Sequence, residues 1–185
     1  MVGDATTPEK TPNETVIIAH VVNDAGAWGR GFVVALSRWD DGPERRYRRW
    51  HQVGCTVAPS ADKLAVSHHP FELGRLQVTP FGPSEDRLWV ANMVAQRGWR
   101  RGGDDPQALD PEALRSCLGG LRGVVTQPYL PGWRHDPNVR VVMPRIGCGL
   151  GGGRWADVEP VIREELVDHG VNVTVYSLPG ERWDD

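Results

Sequence analysis

The chain has 185 residues, 39% of them hydrophobic, and a formal net charge of −3 at pH 7. That length supports one well-buried core and is short for two. With a pI near 6.1, the balance argues against a general nucleic-acid binder, which carries a basic surface. No apolar run reaches membrane-spanning length, and the N-terminus has no apolar signal core, so no membrane role is expected. Cys55, Cys117 and Cys148 are odd in number and widely spaced, matching neither a disulfide framework nor a zinc site. A reducing, cytoplasmic setting without a bound metal or cofactor is therefore expected. Lys10 and Lys63 are the only lysines, so nothing beyond position 63 can supply a catalytic amine.

In chain order, Val16–Val22 is a β-branched apolar run suited to a buried parallel strand. It leads into Asn23-Asp24-Ala25-Gly26-Ala27-Trp28-Gly29-Arg30-Gly31, after which Phe32, Val33, Leu36 and Trp39 recur at helical spacing. Asp41-Gly42-Pro43 breaks that helix, and Pro43 opens the next, through about Gln52, with Tyr47 and Trp50 facing inward. Residues 54–69 read as loop. Leu73–Phe81 and Leu88–Val94 read as neighbouring strands joined at Gly82-Pro83-Ser84. Residues 98–106 are glycine- and charge-rich, hence a surface loop. Asp110-Pro111-Glu112 starts a helix carrying Leu114, Cys117, Leu118 and Leu121. A loop over 128–137 precedes the strand Val139–Met143. The last helix has an inner stripe of Trp155, Val158, Ile162 and Leu166, with Pro160 tolerable in its first turn. Val171–Ser177 is the final strand. The alternation predicts an α/β sandwich with a mostly parallel sheet, one domain over 1–178 with a tail at 179–185.

Two glycine-rich loops leave strand ends. The second, Pro144–Gly153, holds five glycines between a strand and a helix. Bare N–H groups at such a turn seat phosphate oxygens. Open sheets of this kind bind ligands at the carboxyl ends of their strands, so both loops fall on one rim. The first has G-x-x-G-x-G order, not the dinucleotide-binding G-x-G-x-x-G, and no G-x-x-x-x-G-K-[ST] occurs. What remains is a diphosphate cradle without a triphosphate-handling lysine.

Ala19–Phe32 resembles the first ligand loop of macrodomains, in the branch that includes the terminal ADP-ribose protein glycohydrolase and related bacterial proteins. Pro144–Leu150 with Trp155 resembles the second loop, and Val173–Leu178 the closing strand. Gly3-Asp4-Ala5 is similar to the turn whose Asp contacts adenine, and Leu73–Gln77 and Asn92–Gly98 also resemble bacterial members. The resemblance implies a three-layer α/β/α sandwich with a mixed, mostly parallel central sheet, and ADP-ribose, free or on a protein, as partner. The implied ligand set is Asp4, Ala5, Asn23, Gly26, Ala27, Trp28, Gly29, Gly31, Phe32, Arg145, Ile146, Gly147, Cys148, Gly149, Leu150 and Gly151. Asp4 would accept from the adenine amine. Asn23 and Gly26–Gly31 would hold the distal ribose and one phosphate, and Gly147–Gly151 would take the diphosphate.

Two departures bear on activity. The glycohydrolase's lysine has no counterpart among Val94, Ala95, Gln96 and Arg97, and its Asp position is Gly151. A lysine Schiff base is thus impossible here. The family's first strand is also nearly missing, because the chain starts almost at Gly3-Asp4. Hydrolysis of mono-ADP-ribose from Glu or Asp side chains is the expected activity, by a water-mediated route with Asn23 and Gln96 as catalytic candidates. A non-catalytic ADP-ribose reader and an ADP-ribose 1″-phosphate phosphatase are the alternatives.

Other residues carry plainer readings. Asp24 is expected to be a solvated loop residue, and Gln96 fits a strand-end amide bonded to backbone equally well. His20 reads as a satisfied core histidine, though the resembled proteins carry it beside the cleft, and His68-His69 read as surface. Arg45, Arg46, Arg48 and Arg49 form a solvated basic face, and Trp39, Trp50 and Trp155 fall at core spacing. Trp28 is expected to wall the distal ribose, and Cys148 to be packed within its loop.

Overall fold

A computed structural model describes residues 1–54, 70–83, 87–98, 108–126, 129–130, 133–134, 138–178 and 180. The central sheet has five strands in the order β2-β3-β1-β6-β7: β1 is Thr15–Asn23, β2 Leu76–Pro80, β3 Leu88–Gln96, β6 Val139–Pro144 and β7 Asn172–Tyr176. Strands β3, β1, β6 and β7 are mutually parallel, and β2 runs antiparallel to β3 at one edge. Helices α1 (Phe32–Ser37) and α2 (Gly42–Val53) cover one face; α3 (Pro111–Thr126) and α4 (Trp155–Glu165) cover the other.

The two-residue period of β1 explains both cores. Ile17 and Ala19 pack toward α3 and α4 with Leu114, Leu118 and Leu121, whereas Val16, Ile18 and Val22 pack toward α1 and α2 with Leu36, Tyr47 and Trp50. A strand buried on both faces reads as a continuous apolar run, which is what Val16–Val22 is. Asp110 caps α3, its Oδ1 accepting the Ala113 N–H at 2.9 Å. Gly54 closes α2 in the left-handed region at φ +62°, its N–H reaching the Trp50 and His51 carbonyls.

Several expectations change. Pro160 lies inside α4, beyond the first turn. An interior proline costs about 3 kcal/mol. Here Ala156 and Pro160 are both exposed, which leaves the freed carbonyl to water. Trp39 is 68% exposed, because α1 ends at Ser37 and the chain leaves helical phase; Trp50 is buried and Trp155 half-buried. Within 128–137, Tyr129–Leu130 (β4) and Trp133–Arg134 (β5) pair as a small antiparallel ladder instead of loop alone. At the N-terminus, Val2 makes a single parallel bridge to Ser177 beside β7, with Gly3 N–H donating to the Ser177 carbonyl at 2.9 Å. Cys55, His68-His69, Ser84, the loop at 99–106 and the tail at 181–185 lie outside the described residues.

Candidate functional site

A cavity of about 970 Å³ opens at the carboxyl ends of β1 and β6, at the upper end of the range for small-molecule sites. Both glycine loops line it, as do Asp4 and Ala5, and Gln96 at the end of β3. Of the sequence-derived set, Asp4, Ala5, Asn23, Ala27, Gly29, Gly31, Phe32, Gln96, Arg145, Ile146, Gly147, Gly149, Leu150 and Gly151 are on its wall. Gly26, Trp28 and Cys148 are not.

The second loop is shaped by left-handed glycines, Gly147 at φ +73° and Gly152 at φ +70°, a region that admits glycine without strain. Gly153 N–H closes back on the Gly147 carbonyl at 2.9 Å. Gly151 is packed so closely that a Cβ there would sit 2.7 Å from the Gly147 carbonyl oxygen. The aspartate of the resembled glycohydrolase therefore has no room at this position. The N–H groups of Gly149, Leu150 and Gly151 have no acceptor among the described residues. Three consecutive donors of this kind form an anion cradle. Arg145 lies in the same wall with its guanidinium 5.2 Å from the Trp155 ring centroid.

The first loop is held by its own asparagine. Asn23 Oδ1 accepts the N–H groups of Ala25 and Ala27, both at 3.0 Å, and Asn23 Nδ2 donates to the Ala27 carbonyl at 2.6 Å. The buried Tyr47 hydroxyl donates to the Asn23 carbonyl at 2.5 Å. Burial pushes that phenol's pKa above its usual range. A closed circuit then runs behind the loop. Trp28 Nε1 donates to Ser37 Oγ at 2.8 Å, Ser37 donates to Glu44 at 2.9 Å, and Arg48 Nε donates to Glu44 at 2.9 Å. Arg48 Nη2 returns to the Trp28 carbonyl at 2.9 Å.

This geometry corrects three expectations. Trp28 is 7% exposed and turned beneath the loop, because its indole N–H and ring both find partners in the core. It does not wall the cavity. Arg48 is exposed, as is Arg45 in its pair with Asp41, but it is more than a solvated charge: its guanidinium clamps the Gly26 and Trp28 carbonyls. Asp24 is half-buried and accepts the Gly98 N–H at 2.7 Å, joining the first loop to the end of β3. Removing the clamp with Arg48→Met should leave the fold intact, since the arginine lies on the exposed side of α2. It should weaken ligand binding about three- to ten-fold, the worth of one or two hydrogen bonds, measurable by calorimetry.

Each catalytic candidate spends an amide N–H on loop backbone. Asn23 is engaged as described, and Gln96 Nε2 donates to the Gly98 carbonyl at 2.9 Å. Where the glycohydrolase carries its lysine, Val94 and Ala95 are fully buried and Arg97 pairs with Asp110 at 2.7 Å. Burial raises the Cys148 thiol to about 11 and the Cys117 thiol to about 12, so neither is a ready thiolate. Asp4 Oδ1 accepts both the N–H and the hydroxyl of Thr6 at 2.8 Å, which fixes its carboxylate in the cavity wall. The wall also contains His20, which the sequence placed in the core. Its signal was a lone polar residue inside an apolar strand.

The two loops meet across the cavity. A side chain added at Gly31 would come within 3.2 Å of Leu150 Cδ1, and Leu150 is itself 52% exposed.

The arrangement is that of an α/β domain with a glycine-lined cleft at its strand ends. The chain is 36% identical to a macrodomain protein from Streptomyces coelicolor of known structure, covering 95% of each chain with a TM-score of 0.68. It belongs to the macrodomain family. No protein-family model matches it. Thermosipho africanus DarTG, solved in complex with ADP-ribose, shares the fold at 18% identity and a TM-score of 0.61, over 94% of this chain and 40% of that one. Chromodomain-helicase-DNA-binding protein 1-like from Danio rerio is 28% identical over 181 residues, which is 95% of this chain. The chain spans only 15% of that protein's length. No helix among the described residues is long and apolar enough to cross a membrane.

Proposed function

We propose that the cavity binds ADP-ribose, free or attached to a protein. The observation that carries this reading is the run of uncommitted N–H groups at Gly149, Leu150 and Gly151, on the wall of one cavity that the exposed Gly29–Gly31 turn and Asp4 also line. Backbone donors suit a diphosphate, since hydrogen bonds to charged oxygens are about twice as strong as neutral ones. Arg145 adds positive charge to the same wall. The oriented Asp4 carboxylate accepts the adenine amine, and the distal ribose falls beside Asn23, Ala27 and Gln96. The ADP-ribose complex of a protein with the same fold supports this assignment.

Hydrolysis of ADP-ribose from acidic side chains is the finer activity implied by the resemblance. It would run through a water lodged near Asn23 and Gln96, with the ligand's own phosphate or ribose hydroxyls aiding proton transfer. A second reading, recognition without turnover, is favoured by a particular observation: the Asn23 and Gln96 amide nitrogens both donate to loop backbone, and Asp24 accepts from Gly98. Calorimetry with ADP-ribose tests the binding, for which saturable heat at one site is expected; its absence would refute the assignment. Incubation with glutamate-linked ADP-ribosylated protein then separates the readings. Released ADP-ribose identifies a hydrolase, and binding without release identifies a reader. Phosphate liberated from ADP-ribose 1″-phosphate would identify the phosphatase instead.

A further inference from the structure

Three fully buried polar side chains stand in one row across the sheet: Gln77 on β2, Asn92 on β3 and His20 on β1, paired in register. Their hydrogen bonds have a fixed direction. Gln77 Nε2 donates to the Arg46 carbonyl at 3.3 Å, so Gln77 presents Oε1 to its neighbour. Asn92 Nδ2 donates to that Oε1 at 3.3 Å and to the Pro43 carbonyl at 3.4 Å. Turning the Asn92 amide over would set its oxygen against two acceptors, so Asn92 Oδ1 is the atom facing His20. It lies 2.7 Å from His20 Nε2, which must therefore carry the proton.

His20 is 2% exposed, with the Trp28 and Phe32 rings against it. Burial favours the neutral imidazole. A neutral ring has one N–H, and the row places it on Nε2, leaving Nδ1 as a bare acceptor. Nδ1 is buried and has no hydrogen-bond partner among the described residues, an arrangement that costs free energy unless a donor arrives. His20 also belongs to the cavity wall, with Asn23 and Ala27 beside it.

We infer that His20 Nδ1 accepts a hydrogen bond from a hydroxyl of the ligand's distal sugar, so that His20 selects for a ligand bearing that hydroxyl. The inference rests on the ADP-ribose reading. The row Gln77–Asn92–His20 is the positioning device: it sets the tautomer that offers an acceptor instead of a donor. Nδ1 is covered in the unliganded wall, so the side chains against it, Phe32 among them, must give way for the hydroxyl to reach it.

The test uses the intact protein with ¹⁵N-labelled histidine. Long-range ¹H–¹⁵N correlation spectra of the unliganded protein should show His20 protonated at Nε2 and bare at Nδ1. Saturation with ADP-ribose should move the Nδ1 resonance upfield, the signature of an accepted hydrogen bond. Of 2″-deoxy and 3″-deoxy ADP-ribose, one should bind about tenfold more weakly, the loss expected for a hydrogen bond with a buried partner. His20→Phe should erase that difference between analogues. Calorimetric binding with an unmoved Nδ1 resonance would overturn the inference while leaving the ADP-ribose reading standing. So would an Nδ1 signal already hydrogen-bonded without ligand, which marks a resident water, or a proton found on Nδ1. Absence of binding heat would instead remove the ADP-ribose reading, and this inference with it. Should His20→Phe fail to fold, the wild-type spectra and the analogue affinities decide alone.

Discussion

Gly149→Val is expected to lose ADP-ribose binding by about 100-fold or more while unfolding within roughly 0.5 kcal/mol of the parent. The two halves of this expectation have separate causes. A Cβ at Gly149 meets nothing within 4 Å, and the residue is outside the left-handed region, so the protein itself offers little resistance to a side chain. A diphosphate lying against the N–H groups of residues 149–151 does. Losing two charge-assisted hydrogen bonds at about 1.5–3 kcal/mol each gives the predicted factor. Gly151→Val is the contrasting case, since its Cβ would press the Gly147 carbonyl. It should destabilise the fold by about 1–3 kcal/mol. Calorimetry and urea denaturation on both proteins distinguish a blocked cradle from a broken loop.

The second large effect is acid sensitivity that starts near neutrality. Burial holds the His20 pKa down at about 4, against an ordinary 6.5, outweighing the opposing influence of Asn92 and the Val21 backbone. The unfolded chain therefore takes up a proton below 6.5 that the folded protein refuses until about 4. With more protons bound on unfolding, stability falls as pH falls through that window. The loss is about 3 kcal/mol at 1.36 kcal/mol per pH unit. Glu14 acts lower. The hydrogen bond from Arg140 at 2.8 Å holds its carboxyl below 4.5, so its contribution is present above 4.5 and disappears as pH drops through the folded value. Urea denaturation from pH 7 to 4 should show the steady decline, and His20→Phe should flatten its upper part by one proton. A parent curve that is level from pH 6.5 to 5 would contradict the buried neutral histidine.

Much of the architecture could be read from local pattern. Val16–Val22 announced a strand covered on both sides, Pro43 and Asp110 marked helix starts, and the glycine-rich turns after β1 and β6 had to share a rim once the strands were parallel. Features joining residues far apart in sequence were not legible. Nothing in the segment Trp28–Arg48 says that its indole, serine, glutamate and guanidinium close a ring, because that depends on how α2 packs behind the first loop. For the same reason Trp28 reads as a ligand wall until the circuit turns it inward. The row of Gln77, Asn92 and His20 exists only because β3 stands between β2 and β1, an order that strand periodicity does not encode. Trp39 and Pro160 were misplaced by a different route: helical spacing identifies a face but not the residue at which a helix starts or stops.

The approach of Leu150 to Gly31 has a kinetic meaning. Because both residues line the cavity, their approach acts as a strap, and a guest threaded beneath it with bulky groups at both ends would not slide straight out. Escape requires the strap to part, and the dwell time of the guest is set by that opening as well as by the grip of the bonds beneath it. A side chain trimmed at Leu150, as in Leu150→Ala, would hasten departure more than it slows arrival.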